Sequence, residues 1–401
     1  MKKKRAIIRV ISAVIAFFAI IASTGERVYA GGEYNPENET ETTAVSSESF
    51  GNTLKVKSAI LIEQGSGTVL YEKNPDEPLA PASITKVMTM LLVMEAIDGG
   101  KISLNDEVAA SEHACSMGGS QIWLEPGETM SVEELLKATA IGSANDAAVA
   151  LAEYVSGSEE EFVGLMNERA KELGMTNTNF MNASGLDSKG HFSSARDIAK
   201  MSSELLKHEK IKDYTTVWMN TLRDGKTQLV NTNKLIRFYK GATGLKTGST
   251  DDAGKCLAAS AERNGLGVIA VVLGAGNSDD QFGSARTLLD YAFANYTVAK
   301  APVSETAVYV KVTGGVSDSV IGKYDLPEEF IVKKGKEKEL TVEIESDENV
   351  QAPVKEGEKI GKVSVRSGEE TIGEYILYAA EKVEKMNFFN AFVILYGALL
   401  Q

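Results

Sequence analysis

Cysteine and histidine are scarce in this chain of 401 residues: Cys115 and Cys256 on one side, His113, His191 and His208 on the other. Two cysteines exclude a disulfide scaffold, and two buried free thiols are expected, although an oxidising compartment would allow one bridge. None of these five residues falls in C-x-x-C or H-E-x-x-H spacing, so no metal site is readable and no cofactor is expected. No G-x-S-x-G elbow surrounds a serine. A Ser-His-Asp hydrolase would have to use His191, in GHFSSARDIAK, which reads as a structural loop residue. Positive charge is also short, with 42 Lys+Arg against 56 Asp+Glu and a net charge of −14. A phosphate backbone would be repelled by such a surface, so no nucleic-acid partner is expected.

The ends of the chain differ from its middle. Basic residues at Lys2–Arg5 and Arg9, an apolar stretch from Val10 to Ala22 and a small residue at Ala30 follow the order of a secretory signal peptide over 1–30. The apolar stretch is shorter than the ~20 residues a spanning helix needs. Export to the outer face of the cytoplasmic membrane follows, and loss of 1–30 would move the net charge from −14 to −19. Residues 31–54 are acidic, poor in large aliphatic residues, and expected to be flexible.

From Lys55 two β-rich runs flank Gly65-Ser66-Gly67, a hairpin signal. A helical region spans Ser83 to about Lys207, and three further runs, GLKTGST, GKCLAASAE and LGVIAVVLGA, precede a helix from about Asp279 to Asn295. Strands that bracket helices predict an α+β fold, one antiparallel sheet packed against helices over 55–298. Short alternating runs then predict a small all-β domain over 299–381. The final segment, 382–401, contains the apolar MNFFNAFVILYGALLQ, which as a helix is too short to span and is expected to bind the membrane surface or insert partway.

The chemistry begins at PASITKVMTM, residues 81–90. On a helix, Ser83 and Lys86 stand about 60° apart in end view and one turn apart in height, so their side chains can meet. The helix behind them is apolar on nearly every side and therefore buried. A lysine at its inner end is pushed toward the neutral amine, able to take the Ser83 proton as the hydroxyl attacks a carbonyl. S-x-x-K alone is weak evidence, since about two matches arise by chance in a chain this long. Two more pieces sharpen it. Ser143-Ala144-Asn145 sits in the break between two predicted helices, and Lys246-Thr247-Gly248 lies on a strand with Lys246 and Gly248 on one face. Lys246 would attract a carboxylate, and Gly248 would let a substrate backbone approach.

S-x-x-K, S-x-N and K-T-G in this order form the set shared by class A β-lactamases and penicillin-binding proteins. Together with SGTVLYEKNPDEPLAPASITK, MGGSQIWLEPGE, NTNKL and GLKTGSTDDAG, they make the chain resemble the low-molecular-mass penicillin-binding proteins that are serine-type D-alanyl-D-alanine carboxypeptidases. The resemblance implies a β-lactamase/transpeptidase-like domain, with a peptidoglycan stem peptide as substrate and β-lactam antibiotics as covalent inhibitors. It implies Ser83 as acyl-enzyme nucleophile, Lys86 as base, Ser143 as proton relay and Asn145 as a substrate-positioning residue. Lys246, Thr247 and Thr250 would hold the carboxylate end, and the N–H groups of Ser83 and Ser249 the oxyanion. The family's arginine after the later strands is replaced by Gln281, with Arg286 five residues on, which leaves the carboxylate to Thr250 and Lys246 or to Arg286.

Two other readings share these residues. A secreted serine β-lactamase would need a glutamate in an E-x-x-L-N setting to activate water, and none is present. An inactive cell-wall-binding homologue would not need Ser83, Lys86, Ser143 and Lys246 all intact.

Overall fold

The computed structural model describes residues 53–302 and 307–399. The expected signal peptide and nearly all of the acidic leader lie outside them. β1 (Ser58–Glu63) and β2 (Val69–Lys73) form the first hairpin, whose turn is tied by Glu63 accepting from Gly65 N at 2.7 Å and Ser66 N at 2.6 Å. The helical region holds α1 (Lys86–Asp98), α2 (Val132–Ile141), α3 (Asn145–Ser156), α4 (Glu159–Glu172) and α5 (Ala195–Leu206). Ser131, Ser158 and Ser194 each cap a helix, and Ser131 with Glu134 closes the capping box written in SVEE. Two small hairpins, 107–109 with 129–131 and 219–222 with 227–230, flank this region. Runs that short carry too little alternation to read from sequence.

β3 (Ala242–Thr250), β4 (Gly254–Arg263) and β5 (Leu266–Ala275) follow, then α6 (Ser278–Asn295). Asn264 and Gly265, at φ 51° and 81°, supply the two left-handed positions that a two-residue hairpin turn between β4 and β5 requires. The five strands make one antiparallel sheet in the order β2-β1-β5-β4-β3. Both faces are covered. Ile60, Ile62, Ala258, Ile269 and Val271 join the core around α1, while Leu61, Leu257, Ala259, Val268 and Val272 pack with Leu288, Leu289 and Ala292 of α6.

α1 lies at the centre, against α2, α3 and α5. Its Val87, Met88, Met90, Leu91, Val93 and Met94 are fully buried. Each such side chain contributes roughly 1.5–3 kcal/mol relative to exposure, so the helix that carries Lys86 is firmly anchored.

β6 (Tyr296–Lys300) continues from α6 and pairs antiparallel with β9 (Glu329–Lys333). Around this pair β7 (Val308–Thr313), β8 (Ser319–Lys323), β10 (Leu340–Ser346), β11 (Val350–Gln351), β12 (Lys359–Ser367) and β13 (Glu370–Ala379) build a second sheet. Its order is β10-β12-β13-β8-β7-β11. α7 (Phe388–Leu399) closes the described chain with Phe388, Phe389, Phe392, Val393 and Tyr396 exposed. No helix among the described residues is long and apolar enough to cross a membrane.

Both cysteines are free, but only Cys256 is buried. Cys115 is half-buried at the end of a short helix, a correction to the expectation of two buried thiols.

Candidate active site

Ser83 stands in a tight 3-10 turn, Ala82–Thr85, that runs directly into α1. The turn is pressed against β3. A Cβ on Gly248 would lie 2.9 Å from Pro81 O and 3.1 Å from Ser83 N, so only glycine lets the strand approach this closely. Lys86, the first residue of α1, is fully buried. Its Nζ lies 3.1 Å from Ser83 Oγ, 2.5 Å from Asn145 Oδ1 and 2.6 Å from the Ser184 carbonyl.

Burial, then the charge of Lys246, hold the Lys86 ammonium well below the usual lysine range, with Asp146 opposing them. Once neutral, the amine has two N–H bonds to give and one lone pair to use. The two carbonyl oxygens can take both N–H bonds, which turns the lone pair toward Ser83 Oγ.

Asn145 opens α3, and its Nδ2 donates to Gly118 O at 2.6 Å while its N–H donates to Ser120 O at 2.7 Å. The segment Gly118–Leu124 is thereby drawn over the site. Asp146, buried beside it, accepts from Leu124 N at 3.1 Å and from both Ile122 N and Ala147 N. Ser143, at φ 60°, is turned out of the break between α2 and α3, and its Oγ accepts from Lys246 Nζ at 2.8 Å. Lys246 is itself buried and donates to Thr247 O at 2.8 Å; burial pushes its ammonium down to about 7. Its ammonium is thus enclosed and engaged by Ser143 Oγ and Thr247 O rather than exposed on the strand.

Thr247 Oγ1 donates to Thr232 Oγ1 at 2.6 Å, and Thr250 Oγ1 accepts from Ala253 N at 3.1 Å. Ser249 is exposed, and its Oγ accepts from Lys255 Nζ on the neighbouring strand at 2.8 Å. Gln281 is buried and donates from Nε2 to Cys256 O at 2.6 Å, so its amide is engaged inside the protein. Arg286 is exposed on α6, within electrostatic reach of Tyr239.

The three histidines bond elsewhere: His113 to Glu159, His208 to Asp98, and His191 to Thr85 and Met181. Among the described residues no group of His, Cys, Asp and Glu converges in a way that could hold a metal ion. The structure thus brings Ser83, Lys86, Ser143, Asn145, Lys246 and Gly248 into one cluster, with Thr247, Ser249 and Thr250 along the adjoining strand. Sequence reasoning missed Ser184, Asp146, Thr232 and Lys255. Thr232 lies inside the quoted NTNKL and Lys255 opposite Ser249, signals that strand pairing could have turned into candidates.

Residues 41–277 match the family described as D-alanyl-D-alanine carboxypeptidase, and residues 296–385 match the C-terminal domain of penicillin-binding protein 5. The D-alanyl-D-alanine carboxypeptidase DacF of Bacillus subtilis is 47% identical over 339 residues, 83% of this chain and 87% of that one. Penicillin binding protein 5 from Haemophilus influenzae superposes with a TM-score of 0.76 at 31% identity, covering 83% of this chain and 98% of its own. Penicillin-binding protein D2 from Listeria monocytogenes, solved in its ampicillin-bound form, superposes with a TM-score of 0.55 at 34% identity over 60% of this chain and 98% of its own.

Proposed function

The chain belongs to the D-alanyl-D-alanine carboxypeptidase family, and from that premise we propose that Ser83 is its nucleophile and Lys86 its general base, acting on the terminal D-alanine of peptidoglycan stem pentapeptides. The observation that carries this assignment is the 3.1 Å approach of Lys86 Nζ to Ser83 Oγ inside a buried site. Ser83 Oγ attacks the carbonyl carbon of the penultimate D-alanine as its proton passes to neutral Lys86. The oxyanion is received by the N–H groups of Ser83 and Ser249, on either side of Gly248.

The carbon–nitrogen bond then breaks. Ser143, supplied by Lys246 at 2.8 Å, hands a proton to the departing D-alanine nitrogen. The proton gained by Lys86 leaves the two lysines with the total charge they had before attack. Asn145 orients the peptide amide, and water finally cleaves the ester, restoring Ser83. Thr247 and Thr250 face the substrate's carboxylate end, and Lys255, half-exposed and held at Ser249, adds the positive charge that buried Lys246 does not present. Inhibition follows the first half of the same path: a β-lactam carbonyl acylates Ser83.

Residues 1–30 carry the signal pattern for export, and 382–401 would hold the enzyme at the outer face of the cytoplasmic membrane. The exposed aromatic residues of α7 support that placement. The C-terminal β domain, which begins with β6, would then act as the spacer between the membrane and the peptidase domain.

Incubating the enzyme with a synthetic pentapeptide ending in D-Ala-D-Ala should release D-alanine, followed by HPLC, and penicillin should leave an acyl adduct on Ser83 by mass spectrometry. An untouched peptide or an adduct on another residue would remove the assignment. Rapid turnover of the drug would favour a β-lactamase.

A further inference from the structure

Behind the turn that carries Ser83 runs a chain of hydrogen bonds that the reaction above does not use. Met181 N–H donates to His191 Nδ1 at 2.9 Å, so Nδ1 presents a lone pair. The proton of the neutral ring therefore sits on Nε2, which lies 2.8 Å from Thr85 Oγ1. Thr85 Oγ1 in turn donates its only proton to Ala82 O at 2.8 Å, leaving its lone pairs for His191. One backbone N–H thus sets the direction of the whole chain. His191 is buried, and burial pushes its pKa down to about 4, with Asp187 opposing, so the ring stays neutral around pH 7.

The end of the chain is a strained residue. Ala82 has φ 48°, a left-handed conformation that costs an alanine roughly 1–2 kcal/mol. The loop that supplies His191 also packs against it and against Lys86. A Cβ on Gly185 would lie 2.0 Å from Ala82 O and 2.9 Å from Thr85 Oγ1, so the loop backbone is packed directly under the turn. Ser184, next to Gly185, gives Lys86 one of its two carbonyl acceptors.

We propose that His191 is a positioning residue: its Nε2–H fixes Thr85 on Ala82 O and so holds the strained turn that presents Ser83 to Lys86. The inference rests on Ser83 being the acylated nucleophile.

The test is stopped-flow acylation of the full chain by a fluorescent penicillin, which separates the saturating acylation rate from the pre-covalent dissociation constant. His191→Phe keeps a ring of similar size but neither nitrogen. Its saturating rate should fall roughly 10- to 100-fold while the pre-covalent constant is unchanged, as expected when reacting groups are misplaced rather than binding lost. His191→Gln, which can still donate to Thr85, should recover most of the rate. Thr85→Val should lose as much as His191→Phe, and the double variant no more than either. A folded His191→Phe that acylates at the normal rate would overturn the proposal. Should that variant not fold, a normal rate in Thr85→Val overturns it equally. Absence of any adduct on Ser83 in the unaltered chain is a different outcome, which removes the nucleophile assignment itself.

Discussion

Lys86 Nζ lies 3.1 Å from Ser83 Oγ, while Asn145 Oδ1 and Ser184 O occupy its other two hydrogen-bonding directions. A base aimed by two fixed acceptors is more than a base placed nearby, because its lone pair has one direction left. Lys86→Met should therefore lower the rate of Ser83 acylation by roughly 10²–10⁴-fold. Ser184 O and Asn145 Oδ1 lose a donor, at about 1–3 kcal/mol each, but the desolvated amine is gone as well. Thermal melting should find the variant folded, so the lost activity can be read as lost chemistry.

The charges around Lys86 predict shifts of opposite sign. Lys246 lowers the Lys86 pKa and Asp146 raises it. The acid limb of the pH–acylation profile, set by the need for a neutral Lys86, should move to higher pH in Lys246→Ala and to lower pH in Asp146→Asn. Measuring the saturating acylation rate across pH checks both, and two shifts in the same direction would contradict the electrostatic account. Stability has its own sign. A lysine whose pKa is lowered on folding, as Lys246 is to about 7, binds fewer protons folded than unfolded. Its contribution therefore rises with pH from about 7 toward the ordinary lysine value near 10.4. The slope of stability against pH in urea melts over that window should flatten in Lys246→Met.

Gly248→Ala would place a methyl group 2.9 Å from Pro81 O and 3.0 Å from Ala82 Cβ. Either β3 or the Ser83 turn must move, an overpacking cost of about 1–3 kcal/mol. Since the same displacement separates the N–H groups of Ser83 and Ser249, acylation should fall by more than stability alone explains. Comparing urea melts with acylation rates distinguishes the two.

Lys255 offers a test of carboxylate recognition. Its ammonium, held by Ser249 Oγ at 2.8 Å, lies half-exposed at the end of β3, whereas Gln281 is turned inward onto Cys256 O. Lys255→Ala should lower kcat/KM about tenfold for a peptide ending in a free carboxylate, the scale of one partly exposed charged hydrogen bond, and leave a C-terminal amide analogue unaffected. An equal loss for both peptides would show that Lys255 has no part in reading the carboxylate.

The sheet was readable because its signals are local: a Gly-rich turn after β1, Asn264-Gly265 between β4 and β5, and apolar runs in β1 and β5. The cluster of Ser83, Lys86, Ser143 and Lys246 was readable for a similar reason, since each motif is compact: Ser83 and Lys86 sit where α1 begins, Ser143 where the chain breaks between α2 and α3, and Lys246 within β3. What escaped comes from distance and from the backbone. Ser184 acts through its carbonyl, which has no residue type to betray it, and it reaches Lys86 from 98 positions along the chain. Lys246 read as a cation that attracts a carboxylate, because alternation reveals which face it shares with Gly248, not that its ammonium is buried and bonded to Ser143 Oγ. Gln281 faces inward because α6 packs its buried side on β4, a relation that only the assembled sheet contains.

The terminal helix gives a prediction independent of the chemistry. Phe388 is 89% exposed, and Phe389, Phe392, Val393 and Tyr396 are also uncovered on the helix Phe388–Leu399. Twelve residues span about 18 Å, against ~30 Å of hydrocarbon, so this helix can enter one leaflet but not cross both. Each apolar side chain buried in lipid contributes roughly 1.5–3 kcal/mol, enough in sum for stable surface binding. Removing residues 386–401 should abolish sedimentation with phospholipid vesicles while hydrolysis of a soluble pentapeptide is unchanged, because no site residue lies within that segment. Phe388→Glu with Phe392→Glu should weaken vesicle binding in the same way without shortening the chain. Undiminished sedimentation of both variants would mean that the membrane contact lies elsewhere.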